Sequence, residues 1–177
     1  MGSGTAELAA SCPSRRTAAS ERGPPIIRLN QADGYSFATN SSELRTEFAA
    51  LLRENAVPRI LEIAERYRTD TIDIVGHTDE RPIAGTSNLD RELAPFLNGR
   101  RARSLRAADN AGLGFDRAAP VARILSGVPD LRPYRIVPMS GAQVILPRGT
   151  ISDGSDSGDV PDRRRIEIRM RRSDSPR

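Results

Sequence analysis

The chain has 177 residues, 27 of them basic and 23 acidic, with 37% hydrophobic and 4% aromatic residues, one His and one Cys; that is enough for one ordinary domain with a core of Leu, Ile, Val and Ala. Every basic residue is arginine, which excludes Schiff-base lysine chemistry and the lysine-bearing phosphate loop, and the lone Cys12 excludes an internal disulfide or a cysteine metal cluster. The net charge of +4 is that of Asp162 to Arg177, which hold seven Arg and three acidic residues, so there is no basic stripe over the body and nucleic acid is not an expected partner.

Residues 1–25 mix Ser, Ala, Gly, Pro and Arg without an apolar period and read as a linker or tail. No apolar run is long enough to span a bilayer and the first residues lack a signal-peptide pattern, so a membrane anchor is expected outside this chain. Ile26–Leu29 reads as a short strand, Asp33-Gly34 as a turn and Tyr35–Phe37 as its extension or partner. Asn40, Ser41 and Ser42 are candidate caps for a helix with Leu44, Phe48, Leu51 and Leu52 on one face. Pro58 interrupts that pattern before Ile60, Leu61, Ile63, Ala64 and Tyr67 resume it, which predicts two helical pieces or one kinked helix.

Ile72 and Ile74 alternate with Asp73 in a half-buried strand, Thr71–Val75, and Gly76 is read as the sharp turn that ends it. Asp79 is left at the mouth of the strand, where α/β folds gather ligand groups. Glu80–Asn88 is turn-rich, and Leu89, Leu93, Leu97 and Leu105 suggest one or two helices broken near Pro95 and Gly99. From Asn110, a helix places Leu113, Ala118, Val121, Ile124 and Leu125 on one face, with a kink or late start expected at Pro120. Tyr134–Pro138 reads as a strand, Val144–Leu146 as a short strand or turn, and Ser152–Gly158 as a flexible acidic loop whose spacing does not suit calcium. In Arg164–Arg171, Ile166, Ile168 and Met170 alternate with charged residues, which predicts a strand with one face on helices and an arginine-rich face in water. His77, alone, cannot build a metal site and is read as a turn-supporting hydrogen bonder.

Three ordered motifs, I-D-I-V-G-H-T-D at Ile72–Asp79, N-A-G-L-G-F-D-R-A-A-P-V at Asn110–Val121 and R-R-I-E-I at Arg164–Ile168, together resemble the OmpA-like peptidoglycan-binding domain of outer-membrane porins, peptidoglycan-associated lipoproteins and flagellar stator B subunits. The family pattern after the strand is met at Asn110, Leu113, Arg117, Ala118 and Val121; Gly114 stands where serine is usual. The resemblance implies an α+β fold, a β-α-β-α-β two-layer sandwich with helices packed on a small mixed sheet, over residues 26–172, with a tail at 173–177. The long interval between Asp79 and Arg117 implies an inserted helical segment at about residues 86–108. In the closing motif, Arg163 falls where Asn or Asp is usual.

The function this implies is non-catalytic peptidoglycan binding through the meso-diaminopimelate of the stem peptide. An ammonium and a carboxylate on one carbon call for one fixed anion and one fixed cation. Asp79 would accept from the ammonium and Arg117 would take the carboxylate with its planar fork, while Thr78 and Asn110 orient and Leu113 forms a packing wall. No cofactor and no metal is implied. The T-D-x-x-P turn at Thr78, Asp79 and Pro82 is similar to that of stator B subunits, so a homodimer and a membrane subunit are expected partners in that variant, and the location is the periplasm. A porin or lipoprotein variant implies a barrel or an acylated cysteine instead. Two other classes stay open: a wall-acting metal hydrolase using His77, Asp79 and Glu80, and a nucleic-acid binder using the terminal arginines.

Overall fold

In the computed structural model, which describes residues 23–30, 46–99, 104–156 and 158–173, four strands form one mixed sheet in the order β1-β4-β2-β3. They are β1 (Ile27–Asn30), β2 (Thr71–His77), β3 (Arg135–Ala142) and β4 (Arg165–Arg171). β4 pairs antiparallel with both β1 and β2, and β2 pairs parallel with β3. The expected mixed α+β architecture is therefore observed, its β-α-β-α-β order continuing into β4. The reading of 31–45, with its turn, second short strand and helix caps, lies outside the described residues, as does Cys12.

The sheet buries one face because its strands alternate: Ile27, Leu29, Ile72, Ile74, Ile166, Ile168 and Met170 meet Phe48, Leu52, Ile60, Val121 and Leu125 from the helices. The first helical run is α1 (Thr46–Leu51), a wider π turn at Leu52–Ala56, and α2 (Val57–Tyr67). Pro58 lies in the first turn of α2, where a missing N–H is tolerated, and the preceding turn widens so that the Val57 N–H reaches the Leu52 carbonyl. The chain thus stays helical across the proline.

α3 (Leu89–Leu97) lies in the stretch expected to be an insertion and buries no residue fully. It leans on α4 (Asn110–Ser126), whose Arg123 guanidinium sits 4.8 Å from the centre of the Phe96 ring. Asn88 closes the base of the excursion, donating from Nδ2 to the Ser104 carbonyl at 2.9 Å and accepting at Oδ1 from the Arg106 N–H at 2.8 Å. α4 starts at Asn110, capped by Asp109, whose carboxylate accepts from the Gly112 N–H at 2.7 Å. It runs through Pro120 without restarting. Ala119 and Val121 are wholly buried, and that packing offsets the backbone bond the proline cannot make.

Gly76 does not turn the chain. β2 continues to His77, and the glycine is required by proximity: a Cβ on Gly76 would come within 2.1 Å of the Gly114 carbonyl oxygen. A Cβ on Gly114 would meet Ser140 Oγ at 2.1 Å and the Gly76 oxygen at 2.7 Å. α4 thus rides on the end of β2 backbone to backbone, and the glycine at 114 follows from that contact.

The second face of the sheet departs from expectation. Arg165 and Glu167 are only 2% exposed, because residues 143–151 fold across them. Arg165 Nη2 donates to the carbonyls of Ile145 (3.3 Å) and Leu146 (3.2 Å), and Arg28 Nη2 to that of Pro147 (3.2 Å). The covering segment is a small hairpin with an Ile145–Ile151 bridge and a turn in which the Gly149 N–H bonds the Leu146 carbonyl at 2.8 Å. Only the far end of the strand, at Arg169 and Arg171, opens to water.

Candidate functional site

β2 and β3 pair in register until a shift at Gly76/His77, after which the Thr78 N–H bonds the Ala142 carbonyl at 2.9 Å. Ala142 holds φ 46° there, a left-handed conformation that alanine adopts at a cost. This junction delivers Thr78, Asp79 and Glu80 to the end of the sheet beside the first turns of α4. Asn110 anchors the emerging loop, donating from Nδ2 to the Arg81 carbonyl at 3.1 Å. Leu113 is buried one turn further on.

Arg117 comes next on α4, 9% exposed, with Nη1 donating to the His77 carbonyl at 3.1 Å. Burial pulls its pKa down to about 10, and the charge of Arg164 adds to this, against the opposing pull of Asp79 and Asp116. Arg117 therefore remains a cation at neutral pH, in the electrostatic reach of Asp79. The direct partner of Asp79, however, is Arg164, whose Nη1 lies 2.6 Å from Asp79 Oδ2. The same Nη1 bonds Asp159. Burial disfavours the Arg164 cation, but its bonds to Asp159 and Asp79 outweigh this and raise its pKa. Asp79 is 7% exposed, so the carboxylate expected to face Arg117 across an open gap is instead capped by a second arginine. Thr78 Oγ1 and Asn110 Oδ1 are buried and lack hydrogen-bond partners among the described residues.

Glu80 organises the neighbouring loop. Its carboxylate accepts from Arg163 Nη2 at 2.7 Å, from the Asp156 N–H at 2.8 Å and from Ser152 Oγ. These bonds, Ser152 and Arg163 foremost, lower its pKa. Arg163 also reaches the Gln143 carbonyl at 2.8 Å. The stretch read as a flexible acidic loop is thus stitched to the residue after Asp79. Between the loop that follows β2 and the start of α4 lies an open cleft of about 390 Å³ lined by Glu80, Pro82, Ile83, Asp109, Asn110, Ala111 and Gln143.

The imidazole of His77 points the other way, onto the covered face of the sheet, and supports no turn. It is fully buried, with Nε2 3.6 Å from Glu167 Oε2, just beyond hydrogen-bond length. Gly141 leaves it room: a Cβ there would come within 2.4 Å of the ring. Glu167 in turn binds Arg165 at 2.8 Å and Arg169 at 2.6 Å. The trio a metal hydrolase would need is not assembled: His77 faces Glu167, Asp79 faces Arg164 and Glu80 faces Arg163. Among the described residues no three of His, Cys, Asp and Glu gather into a metal-binding group. Of the terminal arginines left open above as a nucleic-acid handle, Arg163, Arg164 and Arg165 are likewise engaged internally.

Solved structures similar to the chain include two periplasmic or MotB-like examples. One is the periplasmic domain of Helicobacter pylori MotB (residues 78–256), at 18% identity over 85% of this chain and 76% of that one, with a TM-score of 0.44. The other is a MotB-like protein from Desulfovibrio vulgaris, at 18% identity over 85% and 74%, with a TM-score of 0.47. No family model matches the chain, and no curated protein does.

Sequence reasoning brought Thr78, Asp79, Asn110, Leu113 and Arg117 to this end of the sheet, named Glu80 only for the metal-hydrolase alternative, and missed Arg164 and Arg163 as partners of Asp79 and Glu80. The signal was present in the closing motif, where arginine stands at 163 in place of Asn or Asp. A side chain of that length can reach across to the β2 loop.

Proposed function

We propose that this chain is a non-catalytic, OmpA-like peptidoglycan-binding module that holds the meso-diaminopimelate of the stem peptide. The observation that carries the reading is the charge cluster at the end of β2, where Asp79 lies in the field of Arg117 and against Arg164, beside an open cleft. A zwitterionic head group matches such a cluster: its ammonium pairs with Asp79 and its carboxylate with a guanidinium fork. The orphaned Thr78 Oγ1 and Asn110 Oδ1 suit further hydrogen bonds once the site rearranges around a guest. Each charge-assisted bond contributes about 1.5–3 kcal/mol, so single-site affinity is modest, and many sites on one polymeric wall supply the holding strength by avidity.

The module then works in the periplasm as the wall-facing part of a membrane-anchored protein. Among the described residues no helix is long and apolar enough to cross a membrane. In the stator-like variant the partners are a second copy and a membrane subunit. The test is a pull-down on purified sacculi: Asp79→Ala and Arg117→Ala are each expected to abolish capture with the circular dichroism spectrum unchanged. Capture retained by both variants overturns the reading.

A further inference from the structure

The guanidinium of Arg164 stands where the proposed reading puts the guest's ammonium: a cation bonded to Asp79 Oδ2 at 2.6 Å, which helps to leave Asp79 only 7% exposed. Arg164 is not committed to that position alone. Its side chain is 24% exposed, and the same Nη1 also bonds Asp159, which is 60% exposed on the loop ahead of β4. Asp79 sits at the end of a buried strand, whereas Arg164 and Asp159 lie at the rim, so the mobile member of the pair is the arginine.

We propose that Arg164 is the affinity- and specificity-setting residue of this site: it occupies Asp79 in the free chain and is exchanged for the ligand's ammonium, swinging out while Asp159 retains it. The proposal rests on the ligand reading above. The exchange also selects the guest. An amine alone replaces one Asp79 contact by another and gains little. A zwitterion brings a carboxylate for Arg117 as well, and only that surplus drives the swap. The site is competent in the fraction of molecules with Arg164 displaced, and apparent affinity scales with that fraction.

Calorimetric titration with free meso-diaminopimelate, and with its decarboxylated analogue cadaverine, tests the exchange. The wild-type chain is expected to bind diaminopimelate and not cadaverine; equal affinity for both overturns the selection. Arg164→Gln removes the internal competitor and is expected to bind diaminopimelate about tenfold tighter. Weaker or unchanged binding by a variant that melts cooperatively overturns the proposal, making Arg164 a ligand contact or a bystander. Should Arg164→Gln not fold, Asp159→Asn decides. Asp159 is exposed, and its loss leaves the displaced guanidinium unheld, so affinity is expected to fall about threefold; an unchanged affinity refutes the exchange. Asp79→Ala separates the two claims. If it binds as well as wild type, the ligand reading itself has failed; if it does not bind while Arg164→Gln binds more weakly, only the exchange has failed.

Discussion

His77 and Glu167 meet on the sheet face that sequence alternation assigned to water, and their titration governs how the fold responds to acid. Burial is the main force lowering the His77 pKa below its ordinary 6.5, against the opposing pull of Glu167. Burial would raise the Glu167 pKa, but the adjacent His77 ring and the bonds from Arg169 and Arg165 override it and hold the carboxyl far below its ordinary 4.5. In both cases the unfolded chain takes up a proton before the native state does, so stability is full above the unfolded pKa and is lost as pH falls. As the only histidine in the chain, His77 accounts for histidine protonation in a first decline beginning near pH 6.5, with a slope of at most about 1.4 kcal/mol per pH unit. A second decline begins near pH 4.5 as Glu167 titrates, joined by Asp70, which bonds from Ser173 and Thr71 lower to about 2. Urea denaturation from pH 7.5 to pH 3 checks this, and Glu167→Gln is expected to flatten the second limb. Glu167→Ala, which strands the buried Arg165, is expected to cost about 3–5 kcal/mol.

At the scale of elements, the contact that positions the site is the backbone approach of α4 to β2 at Gly114 and Gly76. Adding a methyl group at Gly114 requires the Ser140 hydroxyl to leave the Ala111 carbonyl, to which it donates at 2.6 Å, and still crowds the Gly76 oxygen. Gly114→Ala is therefore expected to destabilise by about 1–3 kcal/mol, measured as a shifted urea midpoint. Removing the Ser140 side chain as well should not restore stability, because the Gly76 carbonyl remains in the way. The opposite change is available at the end of α2, where Arg68 sits at φ 52° and closes the helix through its N–H bond to the Glu65 carbonyl at 3.2 Å. Arg68→Gly relieves the left-handed strain and is expected to add about 1 kcal/mol, raising the melting temperature by about 2–4 °C in a chain of this size.

At the scale of the molecule, the segment from Gln143 to Arg164 joins the covered face of the sheet to the candidate site. Its first part roofs the Arg165–Glu167–His77 cluster and its last part carries the arginines that hold Glu80 and Asp79. Glu80 is the pivot, since its carboxylate accepts from Ser152, Asp156 and Arg163 together. Glu80→Ala is expected to speed amide exchange across residues 152–164, while the paired amides of β2 and β4 keep their protection; hydrogen-exchange mass spectrometry separates the two regions. Uniform protection after this change would mean that the loop is held by contacts other than Glu80.

Alternation along β2 and β4 and the helical spacing from Phe48 to Tyr67 and from Leu113 to Leu125 were legible without coordinates, because each reflects a period of the backbone itself. The grouping of Asp79, Asn110 and Arg117 came from the resemblance of the ordered motifs, and the structure has them at one end of the sheet. Burial of the second sheet face, the role of Gly76 as a point of contact, and the capture of Asp79 by Arg164 were decided by tertiary structure alone. In each case the cause is a group remote in the chain: the 143–151 hairpin over Arg165, the Gly114 carbonyl over Gly76, and a guanidinium 85 positions beyond Asp79. A local pattern records which side chains share a face, but not what the rest of the chain lays over it.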